Sequence, residues 1–238
     1  MKLDILAFSA HPDDIELSAA GTILKAVKEG RKVGIIDLTR GELGSRGSAE
    51  IRDKEAAAAA EILGLSIREN LGLVDGFFEI NQSSQLEVVK MIRKYQPELV
   101  LANAVSDRHP DHAKGAELVH KASFLSGLFK IQTSVNGEEQ KAWRPKRVFH
   151  YIQDHYLKPD FVVNITAEFE EKMKSVMAYS SQFYSDEENE VKTPISGQDF
   201  VKFLEGRARQ MGREAGYEMG EGFTVSHPLG GESLFDVK

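Results

Sequence analysis

Along the first 115 residues, short continuous apolar runs alternate with longer stretches whose apolar residues recur three and four apart. Leu3-Asp4-Ile5-Leu6-Ala7-Phe8 and Lys32-Val33-Gly34-Ile35-Ile36-Asp37-Leu38 read as strands, Ser66 to Leu71 as a short one, and Glu98 to Ala102, after Pro97, as a buried one. Between them, Ile15 to Lys28 has helical spacing with Gly30 as its stop. Arg52 to Leu63 contains the run Ala56 to Ala60, the best helix former repeated, and Gly64 ends it, while Gln85 to Tyr95 is a third helix. Strands that alternate with helices in this way predict an α/β fold with a largely parallel sheet.

Past that point the pattern is less regular. Ala113 to Leu128 reads as a helix, Ser134 to Lys146 as a polar connection carrying Trp143, and Val148 to Ile152 and Phe161 to Ile165 as two further strands. Ala167 to Tyr179 and Phe200 to Gly212 read as helices, with Asp186 to Gly197 an exposed acidic loop between them. No repeat or long linker divides the chain. The expectation is one domain over 1–238, with a core over roughly 1–130 and an elaboration over roughly 131–238.

In a parallel sheet, ligands bind beyond the carboxyl ends of the strands. The first such loop is Ser9-Ala10-His11-Pro12-Asp13-Asp14-Ile15-Glu16, where a dinucleotide fold would carry three glycines. One imidazole and two adjacent carboxylates suit a cation instead; the plainer alternative is that Asp13 and Asp14 cap a helix. A second cluster, Asp107-Arg108-His109-Pro110-Asp111-His112, follows Glu98 to Ala102 and opens another helix, though by itself it also fits a solvated loop. If the two strands are neighbours, the clusters meet. The chain has no cysteine, so thiolate metal sites, disulfides and a cysteine nucleophile are excluded, and any metal must be held by His and carboxylate. Two histidines with one carboxylate make a catalytic zinc set, because a position stays open for water.

His11-Pro12-Asp13-Asp14 with His109-Pro110-Asp111-His112 resembles the signature of the PIG-L/LmbE-like family of zinc-dependent N-acetylglucosaminyl deacetylases. The likeness extends through Leu38-Thr39-Arg40-Gly41-Glu42-Leu43-Gly44, Ile51-Arg52-Asp53-Lys54-Glu55-Ala56, Ser180-Ser181-Gln182-Phe183 and Glu221-Gly222-Phe223. It points to the bacillithiol-biosynthesis branch, which removes acetate from N-acetylglucosaminyl L-malate. The resemblance implies a Rossmann-like three-layer sandwich. It also implies that His11, Asp14 and His112 bind zinc, that Asp13 is the general base, and that His109, held by Asp111, supports the transition state. Arg52 is implied in the substrate pocket, and Arg108 either clamps a substrate carboxylate or balances Asp107. A His₂Asp site also accepts Fe(II), Co or Mn. The plainer reading of Arg52 is an exposed helix residue paired with Glu55 or Asp53, and that of Asp111 a helix cap.

The loop Thr39 to Ser48 is rich in Gly and Ser but lacks a P-loop ending, and is read as facing substrate. His120, His150, His155 and His227 are left out of the site. Phe200 lies near where some relatives carry a pocket tyrosine, and Ser18-Ala19-Ala20 where glycines are frequent. The formal charge of −7 argues against nucleic acid as partner, and no apolar run approaches the ~20 residues that span a bilayer. A soluble, cytoplasmic enzyme with a small-molecule partner is expected, and the resemblance adds a homo-oligomer, trimer or hexamer. The alternatives are a deacetylase of another N-acetylglucosamine conjugate, such as another thiol precursor, a lipid-linked sugar or a chitooligosaccharide, and a non-catalytic Rossmann-like nucleotide-binding domain.

Overall fold

The computed structural model describes residues 1–183 and 191–233. The chain runs β1 (Ile5–Ser9), α1 (Asp14–Ser18), α2 (Ala20–Lys28), β2 (Val33–Thr39), α3 (Ala49–Leu63), β3 (Ile67–Leu73), α4 (Gln82–Tyr95), β4 (Leu99–Ala102) and α5 (Pro110–Leu125). A small hairpin of β5 (Ser134–Val135) and β6 (Glu138–Glu139) precedes β7 (Arg147–Tyr151), β8 (Phe161–Asn164), α6 (Phe169–Met177), α7 (Gln198–Glu214) and β9 (Gly220–Val225). Of the acidic loop expected over 186–197, residues 186–190 lie outside the described ones.

Seven strands form one sheet in the order β3-β2-β1-β4-β7-β9-β8, parallel from β3 to β7, with β9 antiparallel to both neighbours. The chain steps outward from β1 to β3 and then returns to β1's other side, so the loops leaving β1 and β4 diverge at their carboxyl ends and open a crevice. Both faces of the sheet are covered. Leu6, Phe8, Ile36, Leu38 and Val100 pack with Val88, Ile92, Leu118 and Val119 of α4 and α5, and Ile5, Ala7, Val33 and Ile35 pack with Ile15, Ile23 and Leu24 of α1 and α2. Successive residues of β1 enter opposite layers, so a strand apolar on both sides reads as an unbroken hydrophobic run. Each leucine, isoleucine, valine or phenylalanine among them contributes about 1.5–3 kcal/mol by its burial.

Two features depart from the sequence pattern. The helix expected over Ile15 to Lys28 is two, interrupted at Ala19 (φ −137°, ψ 6°). The N–H groups that begin α2 have a tertiary acceptor in place of a preceding turn: the Glu221 carboxylate takes Gly21 N (3.0 Å), Thr22 N (2.7 Å) and Thr22 Oγ1 (2.6 Å). Glu221 is buried against Lys172 Nζ at 2.6 Å. The second departure is β9, which the pattern does not predict because Gly220 and Gly222 interrupt it. Those glycines admit α7, since a Cβ on Gly220 would stand 2.9 Å from the Gly212 backbone.

Candidate active site

β1 ends at Ser9, and the chain turns through His11 and Pro12 into α1. The Asp14 carboxylate accepts the His11 N–H at 3.0 Å, closing the turn. Asp13 is left at φ 113°, ψ −25°, a left-handed conformation that costs a non-glycine residue on the order of 1–3 kcal/mol and clusters at functional sites. Although Asp13 is the N-cap of α1, it makes no side-chain capping bond, so capping does not account for the acidic pair. Its carboxyl is buried, and burial pushes its pKa up to about 7 against the opposing pull of the Arg52 guanidinium.

Because β1 and β4 are neighbours, the two clusters share one crevice. Asp14 lies between two imidazoles, 3.0 Å from His112 Nε2 and 3.8 Å from His11 Nδ1. The far nitrogen of each ring is held by a second carboxylate: His11 Nε2 by Asp75 at 3.0 Å, and His112 Nδ1 by Asp107 at 2.5 Å. This carboxylate–imidazole backing fixes the tautomer and aim of metal-binding histidines. Burial alone would discharge both rings, but Asp111, Asp75 and Asp14 raise the His11 pKa to about 10, and Asp14 and Asp107 raise that of His112 to about 9. The cluster thus demands positive charge, and a divalent cation in place of two protons satisfies it. Its donor set of two imidazoles and one carboxylate, without thiol, fits zinc with an open position.

The groups whose donor atoms all lie within 4.8 Å of one another are His11, His109 and His112, and His11, Asp75 and Asp111; Asp14 belongs to neither, and meets the two imidazoles through different oxygens. Asp111 lies 3.6 Å from His11 Nε2, and its oxygens also accept from Gly76 N–H (2.8 Å) and Lys114 Nζ (2.9 Å). This alters the relation expected between Asp111 and His109. His109 is itself the N-cap of α5, and its Nδ1 accepts the Asp111 backbone N–H at 3.3 Å, so the backbone and not the carboxylate sets the tautomer and leaves Nε2 with the proton. Burial and the His11 and His112 charges lower the His109 pKa, so the ring is a neutral donor and not the imidazolium that Asp111 was expected to favour.

A cavity of about 460 Å³ opens over the cluster, and its wall includes His11, Asp13, Asp14, Arg52, Arg108, His109 and His112, with Asp111 buried behind it. None of the four excluded histidines reaches that wall; Phe200 does, as a ring without a hydroxyl. Arg52 is buried, not an exposed helix residue: Gln182 Oε1 accepts from its Nη2, while Asp53 pairs with Arg40 and Glu55 receives Ser181. The Gly-rich loop serves it directly. A Cβ on Gly41 (φ +64°) would collide with the Arg52 guanidinium, and one on Gly44 would approach Nη2 to 2.9 Å, so these glycines seat an arginine rather than a phosphate. Arg108 is paired with Asp154 at 2.7 Å and not with Asp107, which backs His112.

The family described as PIG-L, GlcNAc-PI de-N-acetylase, matches residues 6–123, the stretch that carries both clusters. A conserved protein of Thermus thermophilus superposes with a TM-score of 0.85 at 37% identity over 98% of each chain. The chain belongs to the PIG-L family. Diacetylchitobiose deacetylase of Thermococcus kodakarensis is 29% identical over 194 residues, 76% of this chain and 71% of that protein. A probable N-acetyl-α-D-glucosaminyl L-malate deacetylase of Bacillus anthracis is 29% identical over 196 residues, 75% and 81% of the two chains.

Four residues of this PIG-L site escape sequence reasoning. Asp75 follows β3, Asn103 follows β4 and Gln153 follows β7, all at carboxyl ends of strands, where a polar side chain is the available signal. Asn103 Nδ2 and Gln153 Nε2 donate to Asp14 at 2.9 and 3.0 Å and fix its carboxylate between the imidazoles. Arg207 arrives from α7, and nothing in its local sequence marks it.

Proposed function

We propose that this PIG-L protein is a zinc-dependent hydrolase that removes acetate from N-acetyl-D-glucosaminyl L-malate, as in bacillithiol biosynthesis. One observation carries the reading: Asp14 flanked by two carboxylate-backed imidazoles, with the strained, buried Asp13 beside it. His11, Asp14 and His112 would hold the metal, which when bound polarises the amide carbonyl and makes water acidic. Asp13 takes the proton of the attacking water as general base, and its raised pKa suits that task near neutrality. The Nε2–H of His109 donates to the developing oxyanion or to the departing amine. Arg52 keeps positive charge against Asp13, favouring the carboxylate form that a base requires.

The amino-sugar part of the proposal is supported by family membership and by the two deacetylase relatives; the malate part rests on the Bacillus anthracis relative. The test is acetate release from the malate conjugate, from methyl N-acetylglucosaminide and from diacetylchitobiose, with the protein zinc-loaded or chelator-treated. Metal-dependent release with highest kcat/KM on the malate conjugate is the expected result. Preference for diacetylchitobiose would overturn the malate assignment, and release from none of the three would overturn the deacetylase.

A further inference from the structure

We infer that Arg207 determines substrate specificity by receiving a carboxylate on the non-sugar part of the substrate. The inference rests on the deacetylase reading and deepens it, because it commits the site to anionic amino-sugar conjugates on the strength of this chain's own residue. Arg207 reaches the cavity wall from α7, an element that supplies nothing to the His/Asp cluster. Its guanidinium stands 5.2 Å from the centre of the Phe203 ring, and Nη2 makes one long bond, 3.3 Å, to the Leu17 carbonyl. Nη1 is shut off from water and has no hydrogen-bond partner among the described residues.

The nearby carboxylates are already engaged. Asp154 and Asp107 act on Arg207 through space, but Asp154 binds Arg108 at 2.7 Å and Asp107 binds His112 and the His155 N–H. Glu221, the third, is held by Lys172. Burial presses the Arg207 pKa down, the direction expected of a cation short of a counter-ion.

Arg207 is only partly buried, but a buried donor such as its Nη1 is costly to leave idle in a folded protein. The cost is accounted for if the missing acceptor arrives with the ligand. A planar fork takes both oxygens of a carboxylate at once, which an ammonium cannot do. The other two arginines on the wall are less suited: Arg108 has Asp154, and Arg52, although its Nε is likewise unpartnered among the described residues, is held by Gln182 and faces the charge of Asp13. Leu17, Ile195 and Phe200 on the same wall give the anion an apolar surround that strengthens the pairing.

The experiment compares wild type, Arg207→Ala and Arg207→Gln on N-acetylglucosaminyl malate and on neutral methyl N-acetylglucosaminide, by acetate release and by calorimetric binding of the same two compounds. Arg207→Gln keeps a donor for the Leu17 carbonyl and guards against a variant that merely fails to fold. The expected result is a loss of kcat/KM on the malate conjugate at least about tenfold larger than on the neutral glycoside, expressed mainly in KM, with both variants folded. Equal losses on both compounds, or no preference of the wild type for the charged one, would overturn the assignment. If neither compound is turned over but binding of the charged one still falls selectively in both variants, the anion site stands and the deacetylase reading is what fails.

Discussion

Asp13 and Asp14 are consecutive in the chain yet sit in opposite electrostatic settings. Burial acts to raise both, but the His112 charge beside Asp14 holds its carboxyl well below the usual range, while Asp13 remains near 7. Asp14 is thereby an anion fit for a cation, and Asp13 a group that can exchange a proton. Asp13→Asn is therefore expected to retain zinc while kcat falls at least about 10²-fold, as for loss of a general base, whereas Asp14→Ala and His11→Ala lose the metal. Metal content and acetate release on the same samples check this; an active, zinc-loaded Asp13→Asn enzyme contradicts the assignment. Asp75 and Asp107 act through the histidines they hold. Asp75→Asn and Asp107→Asn should weaken zinc binding by about 10- to 100-fold in a chelator competition, and unchanged affinity would show that the imidazoles are aimed without them.

Elements are brought to the site by pairs that cross between them. Arg68 of β3 binds Asp37 of β2 through Nε (2.8 Å) and Nη2 (3.0 Å) and Glu16 of α1 through Nη1 (2.6 Å), all buried, so α1 and the Asp13-Asp14 turn that opens it are tied to the sheet. Arg68→Met leaves two buried carboxylates without their cation and should cost about 3–5 kcal/mol, seen as a lower urea midpoint at unchanged slope. A wild-type midpoint would mean that the three charges are solvated. The segments that carry the family likeness away from the metal cluster have the same cross-linking character. Gln182 grips Arg52, Glu55 grips Ser180 and Ser181 at the end of α6, and Glu221 starts α2. Their sequence signals the family without disclosing these contacts, because each partner lies more than a hundred residues away.

For the molecule as a whole, the site stores charge that stability depends on. The raised pKa values of His11 and His112, about 10 and about 9 against an ordinary 6.5, mean that the metal-free fold gains stability from protonated imidazoles. That gain is complete below pH 6.5 and is lost as pH rises through the folded-state values. Chelator-treated protein should therefore show a Tm that declines from pH 6.5 toward 10, while zinc-loaded protein, whose cation needs no proton, holds its Tm over that range. Parallel pH dependence of the two forms would show that the histidines do not carry the charge balance. No helix among the described residues is long and apolar enough to cross a membrane.

The apolar periods along the chain determined the alternation of strands and helices, because burial on both faces of a parallel sheet writes itself into consecutive residues, as in Ile5 to Phe8. Residue chemistry at two strand ends likewise marked His11, Asp13, Asp14, His109 and His112 as candidates. What depended on tertiary contact was invisible there. The break at Ala19 needed Glu221 two hundred residues later, β9 was hidden by glycines that exist to admit α7, and the tautomer of His109 was decided by a backbone N–H rather than by the carboxylate its spacing suggested. The same holds for Arg207, an unremarkable helical arginine in the sequence that becomes a candidate ligand for an anion only once the fold brings it to the cavity wall and buries Nη1 without a partner among the described residues. Periodicity records which side of an element faces the core; the partner of a polar group is set by packing between distant segments, and no local pattern encodes it.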